Sequence, residues 1–147
     1  MIKTFYLILK SSTADALKPW FAVGNWKKMP NEVGGGQTTK PENVENEIEQ
    51  LQEWYLNREN TSFETIVEYH VRFEKIHPFQ DGNGRVGRLI MFRECLKNNI
   101  VPFIIDETHK QFYYRGLNEF ERLQDYLMDT CRSAQDTYER WINYFYP

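Results

Sequence analysis

Between Ile76 and Arg88 the chain reads Ile-His-Pro-Phe-Gln-Asp-Gly-Asn-Gly-Arg-Val-Gly-Arg, which brings an imidazole, a carboxylate, a glycine-rich turn and two guanidinium groups into one short run. His77, with an ordinary pKa of about 6.5, can accept a proton at neutral pH and is the candidate general base for a hydroxyl nucleophile. Asp81 is the candidate ligand for Mg²⁺, a cation often held by one or two protein carboxylates together with substrate phosphates and water. Gly82, Asn83 and Gly84 can turn successive backbone N–H groups inward as an anion-binding nest. Arg85 and Arg88, three positions apart, share one face of the helical turn that follows. Cations at a helix start oppose its dipole, and a bound phosphate would reverse the sign of that cost.

The elements that must position these groups follow from pattern. The residue before proline is biased out of the α region, so the helix ending near Ile76 is predicted to stop at His77 and hand the imidazole to a loop. From Arg85 onward, Val86, Leu89, Ile90, Phe92 and Leu96 predict a helix with Asn83 or Gly84 near its N-cap. Helices are also predicted over residues 1–12, over Glu42 to Arg58 and from Phe63 to Phe73, the last with Thr61 or Ser62 as cap. His70 on this last helix reads as a satisfied core histidine. Tyr113 to Met128, striped by Leu117, Phe120, Leu123 and Leu127, and Tyr138 to Phe145 complete the helical elements. Phe21 to Thr39 interrupts the pattern; rich in glycine, it suits a hairpin or mobile loop.

His77 to Arg88 resembles the signature of the Fic family, H-x-F-x-[D/E]-G-N-G-R-x-x-R, and matches it at every specified position. The resemblance implies a mainly α-helical Fic domain over 1–147 with a short β-hairpin flap near residues 26–37. It implies a protein adenylyltransferase that moves AMP from Mg·ATP onto a Ser, Thr or Tyr hydroxyl of a target protein. His77 would then deprotonate the hydroxyl, and Asp81 would hold Mg²⁺ against the α- and β-phosphates. Gly82, Asn83 and Gly84 would cradle phosphate through backbone N–H groups and the Asn83 amide. Arg85 would bind the β-phosphate region, Arg88 the γ-phosphate, and Phe79 would plug the loop into the core. Tyr113 and Tyr114 resemble the aromatic pair that lines the nucleotide pocket. Met29, Val33 and Gly34 fall in the flap, the segment that docks an extended target in relatives.

Many Fic proteins are restrained by a helix of pattern [S/T]-x-x-x-E-[G/N], whose carboxylate competes for the second signature arginine. The only formal match is Thr38-Thr39-Lys40-Pro41-Glu42-Asn43, and Pro41 argues against an inhibitory helix there. The expectation is an unrestrained core cut from a longer chain, or inhibition from a preceding segment, from another copy, or from an antitoxin-like partner. The Met1 start, inside what resembles the first core helix, favours the cut.

Composition bounds the rest. With 147 residues, 41% of them hydrophobic and 16% aromatic, the chain can bury one sizeable core and is expected to form one domain. A net charge of −3 argues against a nucleic-acid binder, whose footprint would be basic. Cys95 and Cys131 match no metal or redox spacing and read as reduced core thiols; with no targeting or membrane-spanning run evident, a cytoplasmic location is expected. Two other readings stand beside adenylyl transfer: a different transfer on the same scaffold (another nucleotide, phosphocholine, phosphorylation or removal of AMP), and a binding module that holds a peptide or nucleotide without turnover.

Overall fold

The computed structural model describes Met1 to Pro147, and its architecture is helical with one small sheet. Six α-helices follow one another: α1 Ile2–Lys10, α2 Val44–Leu56, α3 Phe63–Ile76, α4 Asn83–Lys97, α5 Glu107–Glu119 and α6 Asp125–Phe145. Between α1 and α2 lie β1 (Glu32–Val33) and β2 (Gly36–Gln37), an antiparallel pair in which Glu32 faces Gln37 and Val33 faces Gly36. Gly34 and Gly35 both take positive φ, 56° and 76°, the pairing a two-residue hairpin turn of the I′ kind demands. The hairpin expected near residues 26–37 is therefore present, with its paired residues confined to 32–37.

Two compact units form, one from residues 1–60 with 72–90 and one from residues 61–71 with 91–147. In the first, Ile2, Tyr6, Val44, Ile48, Leu51, Phe73, Phe79, Val86 and Ile90 are buried. Phe79 stacks on Tyr6 with ring centroids 4.0 Å apart, so the signature loop is anchored by its own aromatic, as the resemblance implied. In the second, Phe63, Ile66, Val67, Phe103, Tyr113, Phe120, Leu127, Cys131 and Ala134 form the core. Both cysteines are free and buried there, in keeping with their reading as core thiols.

Ser62 caps α3, its hydroxyl accepting from the Thr65 N–H at 3.2 Å. The C-terminal half departs from the predicted spans. The stripe from Tyr113 to Met128 is not one helix: α5 begins six residues earlier, at Glu107, and ends at Glu119, and α6 starts at Asp125 and runs through the segment assigned to a separate helix. Two local causes account for this. Asp106 caps α5, accepting from Thr108 N at 3.0 Å and His109 N at 3.1 Å. Leu123 N and Arg122 N then turn back to the Glu119 carbonyl and end the helix. Gly116 allows the reversal, because a Cβ there would stand 2.7 Å from the Leu127 Cα.

Candidate active site

The first unit brings together His77, Asp81, Gly82, Asn83, Gly84, Arg85, Arg88 and the flap. His77 follows the last residue of α3 in a left-handed conformation, φ 51°, and its N–H still bonds the Phe73 carbonyl at 3.0 Å. The helix stops where Pro78 predicts. The backbone is left-handed instead of the extended state a pre-proline residue favours, because His77 occupies the helix C-terminal turn. Its Nδ1 lies 3.1 Å from the Glu74 carbonyl oxygen, which can only accept, so Nδ1 carries the proton and Nε2 is left as the basic nitrogen. Burial holds the His77 pKa below its ordinary value, and the Lys27 charge adds to this against opposing effects of the Glu74 carbonyl and Asp81.

Beyond Phe79 the loop is shaped by Asn83. The Asn83 amide accepts from the Phe79 N–H at 2.7 Å and donates to the Phe79 carbonyl at 2.8 Å. With 2% of the residue exposed, this side chain is engaged with the loop. Gly82 takes φ 79°, and the N–H groups of Asn83, Gly84 and Arg85 precede the first intrahelical bond, from Val86 N to Gly82 O. An anion placed there meets unpaired donors and the positive end of α4. Of the two glycines, only Gly82 uses a left-handed φ. At Gly84 the reason is space, since a Cβ would come within 3.1 Å of the Arg88 guanidinium.

Asp81 is 58% exposed in its side chain, and its Oδ2 receives Lys10 Nζ at 2.6 Å and Arg85 at 3.5 Å. Lys10, 4% exposed at the end of α1, also bonds Asp15 at 2.9 Å. The Lys10 bond is the main cause holding the Asp81 carboxyl below the usual carboxylate range. Burial works against the Lys10 ammonium, but its bonds to Asp81 and Asp15 outweigh it and raise its pKa. Glu74, the last acid before the signature, sits with its Oε2 3.9 Å from His77 Nδ1. Burial pushes the Glu74 carboxyl up to about 7 while Arg88 pulls the other way.

The flap is bonded to this loop. Asn31 donates to the Phe79 carbonyl at 2.8 Å, Met29 N reaches Gln80 Oε1 at 3.3 Å, and Lys27 N donates to the Pro78 carbonyl at 2.8 Å. Met29, Val33 and Gly34 are exposed along it. Tyr113 and Tyr114 belong to the second unit. Tyr113 is 1% exposed, its hydroxyl 2.6 Å from His70 Nε2; His70, also 1% exposed, lies in the core as its pattern suggested, and Tyr114 is half exposed. Pro41–Asn43 forms a single 3-10 turn with Glu42 exposed, not an inhibitory helix. Lys10, Lys27, Asn31 and Glu74 were not singled out from sequence. Each is distant in the chain from what it touches, or sits in a helix without a motif of its own.

The profile of the Fic/DOC family matches residues 3–95, which include every signature residue. The protein adenylyltransferase Fic of Nematostella vectensis is 27% identical over 69% of this chain, and that of Culex quinquefasciatus 32% identical over 62%. The chain spans only 25% and 19% of those relatives' lengths. Among solved structures, Fic-1 (residues 134–508) of C. elegans superposes with a TM-score of 0.76 at 21% identity, covering 98% of this chain and 42% of that one. A Fic family protein from Desulfovibrio desulfuricans G20 gives 0.76 at 19% identity, covering 99% and 47%. With the signature loop, helix α4 and the hairpin all in place, the chain belongs to the Fic/DOC family.

Proposed function

We propose that this chain transfers AMP from ATP, as its Mg²⁺ complex, to a Ser, Thr or Tyr hydroxyl of a protein target. The observation that carries the reading is a neutral imidazole, its Nδ1 tied to the Glu74 carbonyl, a few residues before a helix N-terminus bearing two guanidinium groups. His77 Nε2 takes the proton as the hydroxyl oxygen attacks the α-phosphorus and the bond to the bridging oxygen breaks. The N–H groups opening α4 and the cations of Arg85 and Arg88 oppose the charge that develops on departing pyrophosphate. Little covalent work falls to the protein, so position and field carry the rate.

The donor set fits Mg²⁺. Asp81 offers one exposed carboxylate, and no group of three or more acidic, histidine or cysteine side chains makes an all-protein cage. Such a site matches a cation that takes its remaining ligands from water and phosphate. When bound it would neutralise phosphate charge; Asp81 would hold it, with Lys10 fixing the carboxylate. The exposed two-strand hairpin offers an edge to which an extended target segment could add.

Incubation with Mg²⁺, candidate target proteins and ATP labelled at the α-phosphate tests the proposal. Label is expected on protein, lost in His77→Ala; no α-label on protein, with label transferred from γ-labelled ATP in a parallel incubation, would refute it.

A further inference from the structure

We infer that Lys27 is a positioning residue that clamps the backbone on both sides of His77 and fastens the clamp to both arms of the flap, so that flap and imidazole keep their places together. This rests on the reading of His77 as the base and of the hairpin as the docking edge. Lys27 is 3% exposed. Its ammonium donates to the Ile76 carbonyl at 3.3 Å, to Asn31 Oδ1 at 2.7 Å and to Thr38 Oγ1 at 2.8 Å, while its own N–H donates to the Pro78 carbonyl. The carbonyls immediately before and after His77 are thus held by one residue. Asn31 precedes β1 and Thr38 follows β2, so the same ammonium closes the base of the hairpin. Thr38 Oγ1 in turn donates to Asn31, and Asn31 to Phe79, which completes a ring of bonds around the loop.

The chemistry of the site says why lysine stands there. All three acceptors of the ammonium are uncharged, and Glu47 from α2 acts only through space. Burial pushes the ammonium down to about 8, so a charge is held at a cost an apolar residue would avoid. What lysine provides in return is three diverging donors on one atom, enough to join three backbone segments. A left-handed non-glycine residue such as His77 persists only where its surroundings over-determine it, and this clamp supplies that constraint. The groups facing the imidazole are Lys27 from the flap, Glu74 from α3 and Asp81 from the loop. Removing the ammonium should therefore alter both backbone order and the ring's titration.

The test is amide hydrogen exchange on the full chain, comparing it with Lys27→Met and Thr38→Val, together with NMR titration of the histidine rings, of which there are three. In Lys27→Met, exchange at His77 and at residues 32–37 is expected to accelerate by about tenfold or more while α5 and α6 keep their protection. The His77 titration should move upward. Should Lys27→Met fail to fold, Thr38→Val carries the test, with faster exchange at residues 32–37 and at His77. Exchange at both places within about twofold of the parent in the folded variants overturns the inference. Neither measurement needs nucleotide, so a failure to detect AMP transfer leaves this outcome readable.

Discussion

Three neighbours act on the titration of His77, the proposed base: the Glu74 carbonyl, Lys27 and Asp81. Replacing His77 with alanine removes the proton acceptor and also a side chain that is only 15% exposed, at a left-handed backbone position. Transfer to a protein hydroxyl is expected to fall by about 10²–10⁴-fold with ATP binding retained. Lys10→Met probes the other pole of the site. It takes away the main cause of the depressed Asp81 pKa and leaves the Gly82 N–H and Arg85, the latter at 3.5 Å and half exposed. The Asp81 carboxyl, followed by carbon-detected NMR, should titrate closer to the ordinary value of about 3.9. No upward movement would mean Lys10 is a bystander. These residues also divide by how they could be found. The signature was legible because its chemistry is contiguous: Pro78 stops the helix, Gly82 turns the loop, and Phe79 fills the core behind it. Lys10 and Lys27 were not, because a lysine that will be buried against Asp81 or Ile76 looks, along the chain, like any solvated cation. The bonds of the Asn83 amide to Phe79 were not legible for a related reason, since hydrogen bonds to a residue four positions away leave no mark on periodicity.

Helices and hairpin differ in what their glycines do, and that separates two kinds of cost. At Gly116, in α5, an added Cβ would meet the Leu127 Cα, Cβ and N between 2.7 and 2.9 Å, all but one of them backbone atoms. Gly116→Ala therefore forces α5 and α6 apart and should destabilise the chain by about 1–3 kcal/mol, seen as a lower midpoint in chemical unfolding. At Gly35 nothing lies within 4 Å of the added carbon, but φ is +76°. Gly35→Ala should cost about 1 kcal/mol locally through conformation alone, read as faster hydrogen exchange in the hairpin with an unchanged global midpoint. The same helical pair shows why boundaries in the C-terminal half were misjudged. The apolar stripe of Leu117, Phe120, Leu123 and Leu127 keeps helical spacing through the break, because the turn after Glu119 reverses the chain without exposing Phe120. Hydrophobic spacing reports which side chains are buried; the end of α5 is decided by a glycine contact and turn hydrogen bonds that spacing does not encode.

Acid–base balance acts on the stability of the whole chain in opposing directions. Asp15, Asp81 and Asp106 have pKa values below the ordinary range, mainly from hydrogen bonds to Lys10 for the first two and to Thr108 for the third. A carboxyl depressed on folding contributes stability that is present above its unfolded pKa and lost as pH falls through its folded one, so these three stabilise at neutral pH and fail in acid. Glu74 works the other way. Burial raises it from 4.5 to about 7, so between those values the folded chain binds more protons than the unfolded one, and stability declines as pH rises. Full ionisation costs roughly 3 kcal/mol on this basis, enough to place the stability maximum on the mildly acidic side. Lys27, lowered from 10.5 to about 8, adds a rise only above pH 8. Unfolding in urea across the pH range should therefore show a maximum below neutrality and a decline toward pH 7. Glu74→Gln, which keeps the shape and removes the ionisation, should flatten that decline and be more stable than the parent at pH 8. A decline of the same depth in Glu74→Gln would show that another group binds the proton. Glu74 also feels the charge of Arg88, the guanidinium proposed to meet the γ-phosphate, so under that proposal the ionised carboxylate would compete with nucleotide for one cation. The same substitution should then tighten ATP binding at neutral pH, with the gain shrinking in acid where the parent's carboxyl is already protonated.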